Sequence, residues 1–173
     1  MVTDTLNKEN VWLIGFIIDP DAETPQLYTI FFPGDIDKPL TNQGYILFFS
    51  DLQITTKAIK AGDIDYHNFI YPPTEVDLVC NIAELLYLIN HETRDDSAII
   101  VDCLNILFDM IRAIHINMPP NYQSILYAFA DHLTFNQEFA SFFTKQQTSA
   151  TAISDALTWC IGAIVSKSKI ITK

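Results

Sequence analysis

The spacing of apolar positions changes character about two fifths of the way along the chain. Val11–Ile18 (VWLIGFII) is apolar without a break and stops at Asp19-Pro20, the pattern of a strand buried on both faces. Leu27–Phe32 (LYTIFF) and Tyr45–Phe49 (YILFF) are short, aromatic and β-branched, bounded by Pro33-Gly34 and by Asn42-Gln43-Gly44. The segments joining these runs are too short for a helical crossover with its turns. They predict an antiparallel meander and disfavour a parallel sheet. Asp51 reads as the N-cap of a short helix over Leu52–Ala61 that Gly62 closes. The run YHNFIY at 66–71 reads as a fourth, edge strand ended by Pro72-Pro73.

From Thr74 the period is helical. Thr74-x-x-Asp77 resembles a capping box, with Asp in place of the usual Glu, and opens a helix to about Asn90. Asp95-Asp96-Ser97 precedes a helix from Ala98 to about Ile116, which Met118-Pro119-Pro120 terminates. Three more follow: Tyr122–Leu133, a short helix capped by Thr134 and reaching Phe143, and Ala150–Ser166. The expected architecture is a single α+β domain over residues 1–173. An N-terminal antiparallel sheet of three to four strands (sheet-rich half, 11–71) packs one face against a C-terminal set of about five helices (helical half, 74–166). No internal repeat or low-complexity tract interrupts it.

Composition narrows the function classes. With 173 residues, 49% of them apolar and 12% aromatic, intrinsic disorder is excluded. The charge is lopsided, 21 acidic residues against 10 basic ones and a net −11. Duplex DNA and anionic membranes repel such a surface, so neither nucleic acid nor a membrane is an expected partner. The most apolar stretch, 98–116, carries Asp102, Asn105, Asp109, Arg112 and His115, which a membrane span does not tolerate. Residues 1–10 have neither the basic nor the apolar region of a signal peptide. Cys80, Cys103 and Cys160 are odd in number, widely spaced and set in apolar stretches. They read as inert buried thiols in a reducing, cytoplasmic compartment.

Catalytic and cofactor motifs are missing from the chain. The five glycines are isolated, so no phosphate-cradling loop forms, and there is no GxSxG elbow. The histidines 67, 91, 115 and 132 show no HExxH or HxH spacing, and no cofactor or metal is expected. His115 falls in the last turn of its helix, where the dipole favours a cation. Asp102, Asn105, Asp109 and Arg112 form one polar stripe on an otherwise apolar helix. Asp77, Asn81, Glu84 and His91 form another on the preceding helix. The plainer reading is two solvated edges, with Asp109 and Arg112 a weak surface pair. The functional alternative is a ligand or hydrolase site built from Glu84, His91, Asp102 and Asp109.

Acidic residues crowd the connections of the sheet-rich half: Asp19, Asp21 and Glu23 in one, Asp35 and Asp37 in the next, Asp63 and Asp65 after the short helix. Five acids and no base lie between positions 19 and 37. Turns favour Asp for its local backbone bonds, yet so one-sided a set also suits a basic partner. The expected function is a non-catalytic acidic interaction module that binds a basic protein through these seven residues. By charge and size it is comparable to inhibitors and immunity proteins. In a meander, successive turns fall at opposite ends, which splits the seven residues unless the longer loop folds back.

Two expectations complete the reading. A charged fraction of 18%, low against a usual value of about 25%, leaves apolar surface exposed, and a homodimer or obligate interface through Phe135, Phe139, Phe142 and Phe143 is expected. The C-terminal segment, with Lys145, Lys167, Lys169 and Lys173 against Asp155 alone, reads as a frayed cationic end.

Overall fold

The computed structural model describes residues 11–63, 72–91, 97–136 and 138–173. It is a mixed α+β structure with seven strands in one sheet and six α-helices among the described residues. The strands are β1 (Trp12–Ile17), β2 (Leu27–Phe32), β3 (Lys38–Pro39), β4 (Thr41–Asn42), β5 (Tyr45–Phe49), β6 (Leu78–Asn81) and β7 (Ser168–Ile171). The helices are α1 (Thr55–Ala61), α2 (Ile82–His91), α3 (Ser97–Ala113), α4 (Pro120–Asn136), α5 (Phe139–Gln146) and α6 (Ala150–Ser166). Asp65 and the expected strand at 66–71 lie outside the described residues.

The expected meander forms the centre of the sheet. β1 pairs antiparallel with β2 (Ile14 opposite Thr29), and β2 with β5 (Tyr28 opposite Phe49). β3 and β4 fill the space where β2 and β5 diverge: Pro39 faces Phe31 and Thr41 faces Ile46. The margins correct the expectation of an all-antiparallel sheet, because β6 adds parallel to β1 and β7 adds parallel to β5. Reasoning from neighbouring runs missed both, since each partner strand arrives from far along the chain.

β6 also corrects the helix expected from Thr74. The open edge of β1 presents backbone groups that need partners, and Leu78–Asn81 satisfies them as strand. Asp77 fixes the start: Leu13 N donates to its Oδ2 at 2.7 Å, and Asp77 N donates to Leu13 O at 2.9 Å. The capping box lies seven residues later than expected. Glu84 N donates to Asn81 Oδ1 at 2.9 Å, and Asn81 Nδ2 donates to Glu84 Oε2 at 3.2 Å, which starts α2.

The strands alternate between two apolar layers. Ile14, Phe16, Phe31, Ile46, Phe48 and Cys80 face the larger core, formed with α2 to α6. Leu13, Ile30, Leu40, Leu47 and Phe49 face a smaller core with Ala58 and Ile59 of α1. Helices therefore cover both faces, not one, which accounts for the unbroken apolar run of β1. Gly62 closes α1 in an extended rather than left-handed conformation. Its requirement is space, since a Cβ there would lie 2.4 Å from Leu40 Cδ1.

Helix ends depart from expectation in two places. α4 runs through Thr134, whose Oγ1 donates to Ala130 O at 2.8 Å instead of capping a new helix; Glu138 is the N-cap of α5. α3 ends at Ala113, and His115 adopts a left-handed φ of 54° just beyond it, with its N–H donating to Arg112 O at 3.1 Å. The tail is not frayed. β7 lies along β5, the ammonium groups of Lys167 and Lys169 sit 5.1 and 4.4 Å from the Tyr45 ring, and Lys173 pairs with Asp51 at 2.6 Å.

Candidate functional site

The strand directions sort the acidic residues. β1, β5, β6 and β7 run one way and β2 the other. The 18–26 connection, with Asp19, Asp21 and Glu23, therefore lies at the end where β1 finishes. The 33–37 turn, with Asp35 and Asp37, lies at the opposite end. Asp63 joins that second end, where it closes the β4–β5 turn. Its carboxylate accepts from Gln43 N and from Asn42 Nδ2, and its own N–H donates to Thr41 O at 2.7 Å. The candidate residues thus form two groups, as opposite hairpin ends require.

The two groups differ in how far their acids are committed locally. Asp19 accepts from Asp21 N at 3.0 Å and Gln26 Oε1 accepts from Ile18 N at 2.9 Å, so this turn is held by its own polar atoms. Asp19, Asp21 and Glu23 remain exposed, with no ion-pair partner among the described residues. At the other end Asp35 is exposed, while half-buried Asp37 accepts from Gly34 N at 3.3 Å. Asp37 also adds its charge to the surroundings of Asp109 on α3. Asp109 has lost part of its solvent, and that burial, with Asp37 beside it, raises its pKa above the ordinary 3.8. Arg112, at 2.6 Å, pulls the other way.

The alternative polar residues have different local partners. Glu84 is occupied in the capping box at the start of α2. His91 sits exposed at its far end, with Nδ1 2.8 Å from Tyr87 O and its ring stacked on Tyr87 at 4.0 Å. On α3, Asp102, Asn105 and Arg112 are exposed, whereas Asp109 is partly buried and paired with Arg112. Seven residues separate the two members on each helix, about 10 Å of helical rise. No group of three His, Cys, Asp or Glu side chains among the described residues is placed to hold a metal ion.

One concavity escaped the sequence reading. A cleft of about 500 Å³ opens where α3 turns into α4, lined by Phe108, Arg112, His115, Asn117, Gln123 and Tyr127. It exists because His115 reverses the chain in a left-handed conformation and Pro119-Pro120 restarts it as α4. It takes in none of Glu84, His91, Asp102 or Asp109. The only sequence signal for it was the break His115–Pro120 with its Pro119-Pro120 pair, which by itself marks a helix end and no more.

The aromatic residues expected at an interface are mostly internal. Phe139 and Phe142 are buried around Phe129, with ring centroids 5.6 and 5.0 Å from it, and Phe143 is half-buried at 6.2 Å. Phe135 alone of the four is open to solvent, at 81%. No helix among the described residues is long and apolar enough by itself to cross a membrane. Compared with known proteins, the chain matches no family model, no curated sequence and no solved structure.

Proposed function

We propose that the chain is a non-catalytic, acidic cytoplasmic interaction module, of the inhibitor or immunity type, whose partner is a basic protein. One observation supports this reading: Asp19, Asp21 and Glu23 stand exposed, with no cationic partner among the described residues, on a single turn closed by its own hydrogen bonds. Acidic side chains held together on one turn add their fields, and such a field steers a cationic surface toward contact and accelerates association. Asp35, Asp37 and Asp63, at the other end of the sheet, form a second acidic surface, but Asp63 and Asp37 are partly engaged within the fold. The alternative, a hydrolase or ligand-binding protein using Glu84, His91, Asp102 and Asp109, has no shared cleft in its support.

The test is capture from native lysate at low salt, comparing the parent with two neutralised variants. One carries Asp19→Asn, Asp21→Asn and Glu23→Gln; the other carries Asp35→Asn, Asp37→Asn and Asp63→Asn. The first set should lower the association rate of a captured basic partner at least several-fold, and added salt should erase the difference, since screening acts within about 8–10 Å. Equal capture by both variants at low salt refutes the reading. An activity abolished by Glu84, His91, Asp102 or Asp109 substitutions, with both loop sets silent, establishes the alternative.

A further inference from the structure

A second cleft, of about 550 Å³, lies beside Asp51 and is lined by Tyr28, Ser50, Asp51, Leu52, Gln53 and Lys173. Its place follows from the strand directions. β1, β5 and β7 finish at the end of the sheet where β2 begins, and Ser50 and Asp51 follow β5 there. Tyr28, near the start of β2, stacks on Phe49 with ring centroids 5.9 Å apart. Its hydroxyl donates to Pro25 O at 3.1 Å, which ties the cleft wall to the 18–26 connection carrying Asp19, Asp21 and Glu23. Cleft and acidic turn share one end of the sheet.

The two oxygens of Asp51 have separate duties. Oδ1 accepts from Gln53 N at 2.8 Å and caps the short 3-10 turn Leu52–Ile54. Oδ2 meets the Lys173 ammonium at 2.6 Å. That contact is not what holds the segment, because β7 is paired along β5 and Lys57 Nζ donates to Thr172 O at 2.7 Å. The Lys173 side chain is 70% exposed, and an exposed pair of this kind adds little to stability.

We infer that this cleft receives a lysine side chain of a basic protein partner, and that Lys173 occupies it in cis until the partner's lysine displaces it. The inference rests on the reading that the partner is a basic protein, and adds the place where one of its cations is held. Lys173 is the stand-in for that ligand. One available carboxylate oxygen suits the point charge of an ammonium; the fork of an arginine needs both oxygens, and Oδ1 is committed to the cap. The Tyr28 ring gives the methylene stem an apolar wall. Tethered on the same chain, Lys173 competes at high effective concentration and keeps loose cations out. A partner drawn in by the acidic turn brings its lysine at a comparable local concentration. The exchange swaps one ammonium for another and releases Lys173 to solvent, so no charge is left buried and unpaired.

The test titrates a blocked tetralysine peptide into the intact, isotope-labelled protein at low salt and follows the amides of Ser50 to Gln53 by nuclear magnetic resonance. Removing the competitor by Lys173→Ala should tighten binding about two- to five-fold, the worth of one exposed ion pair. Asp51→Asn keeps the capping oxygen, and added to Lys173→Ala it should abolish the gain. Lys145→Ala, which deletes a lysine on α5 outside the cleft lining, should leave the affinity at the parent value and so controls for net charge. A Lys173→Ala chain that binds no tighter than the parent overturns the inference. So does a gain that Lys145→Ala equals or that survives Asp51→Asn. The acidic-turn reading fails separately: in that case the Asp19→Asn, Asp21→Asn, Glu23→Gln variant binds the peptide like the parent, whatever Lys173→Ala does.

Discussion

Replacing Phe142 by alanine separates the observed role of the aromatic residues around α5 from the interface role expected of them. Phe142 has no exposed surface, and its ring lies 5.0 Å from Phe129, 5.7 Å from Phe143 and 5.4 Å from His132. Returning a buried Phe side chain to water costs about 1.5–3 kcal/mol. The cavity left among neighbours that relax only partly brings the total to about 3–5 kcal/mol, the usual range for a buried Phe→Ala change. Loss of the aromatic contacts keeps the value at the upper end of that range. Against a typical domain stability of about 5–15 kcal/mol, such a loss is severe. Phe135→Ala removes a ring already in water and should change stability by less than about 0.5 kcal/mol. Urea denaturation followed by circular dichroism, with the slope checked for constancy, measures both. A Phe142→Ala cost below about 1 kcal/mol, or one matched by Phe135→Ala, refutes the packing of α5 against α4. Light scattering on the same proteins tests the expected dimer: if Phe135 anchors one, Phe135→Ala shifts the mass to monomer while stability holds.

Other outcomes follow from the same contacts. Leu107→Ala should cost about 2–5 kcal/mol because Leu107 is buried in the larger core, whereas Asp102→Ala on the exposed edge of α3 should cost less than about 0.5 kcal/mol; denaturation curves separate them. The lowered pKa of Asp51, caused chiefly by Lys173, means that its contribution is present above the unfolded value of 3.8 and is lost as pH falls through the native value. Thermal unfolding of Lys173→Ala should therefore match the parent in strong acid and fall below it near neutrality. Asp109 has the opposite sign. Its raised pKa makes the native state hold the proton more tightly, so its effect on stability worsens as pH climbs from about 4, and Asp109→Asn should flatten that part of the pH–stability curve. Deleting residues 168–173 strips β5 of its parallel partner and should lower the thermal midpoint and speed exchange of the β5 amides.

The strands β2 and β5 and the helix α6 were legible from residue pattern with their observed bounds. Their signals are local: β-branched and aromatic runs between turn residues, or a long apolar stretch after Ser149. Periodicity of 3.6 residues also places Ile106, Leu107 and Met110, all buried, on one face of α3. What the sequence could not decide was who sits beside whom. Leu78–Asn81 carries a helix-compatible pattern and became strand only because β1 offered an unpaired edge; Ser168–Ile171 did the same beside β5. The opposite-end placement of the acidic turns followed from the meander, but the approach of Asp37 to Asp109 needed α3 docked near β3. The cleft behind His115 likewise forms only where α3 and α4 are brought together. Backbone hydrogen bonding and apolar burial act on the whole chain at once. Local pattern therefore specifies an element's periodicity and ends, while its neighbours, and every site shared between elements, are settled only by the packed structure.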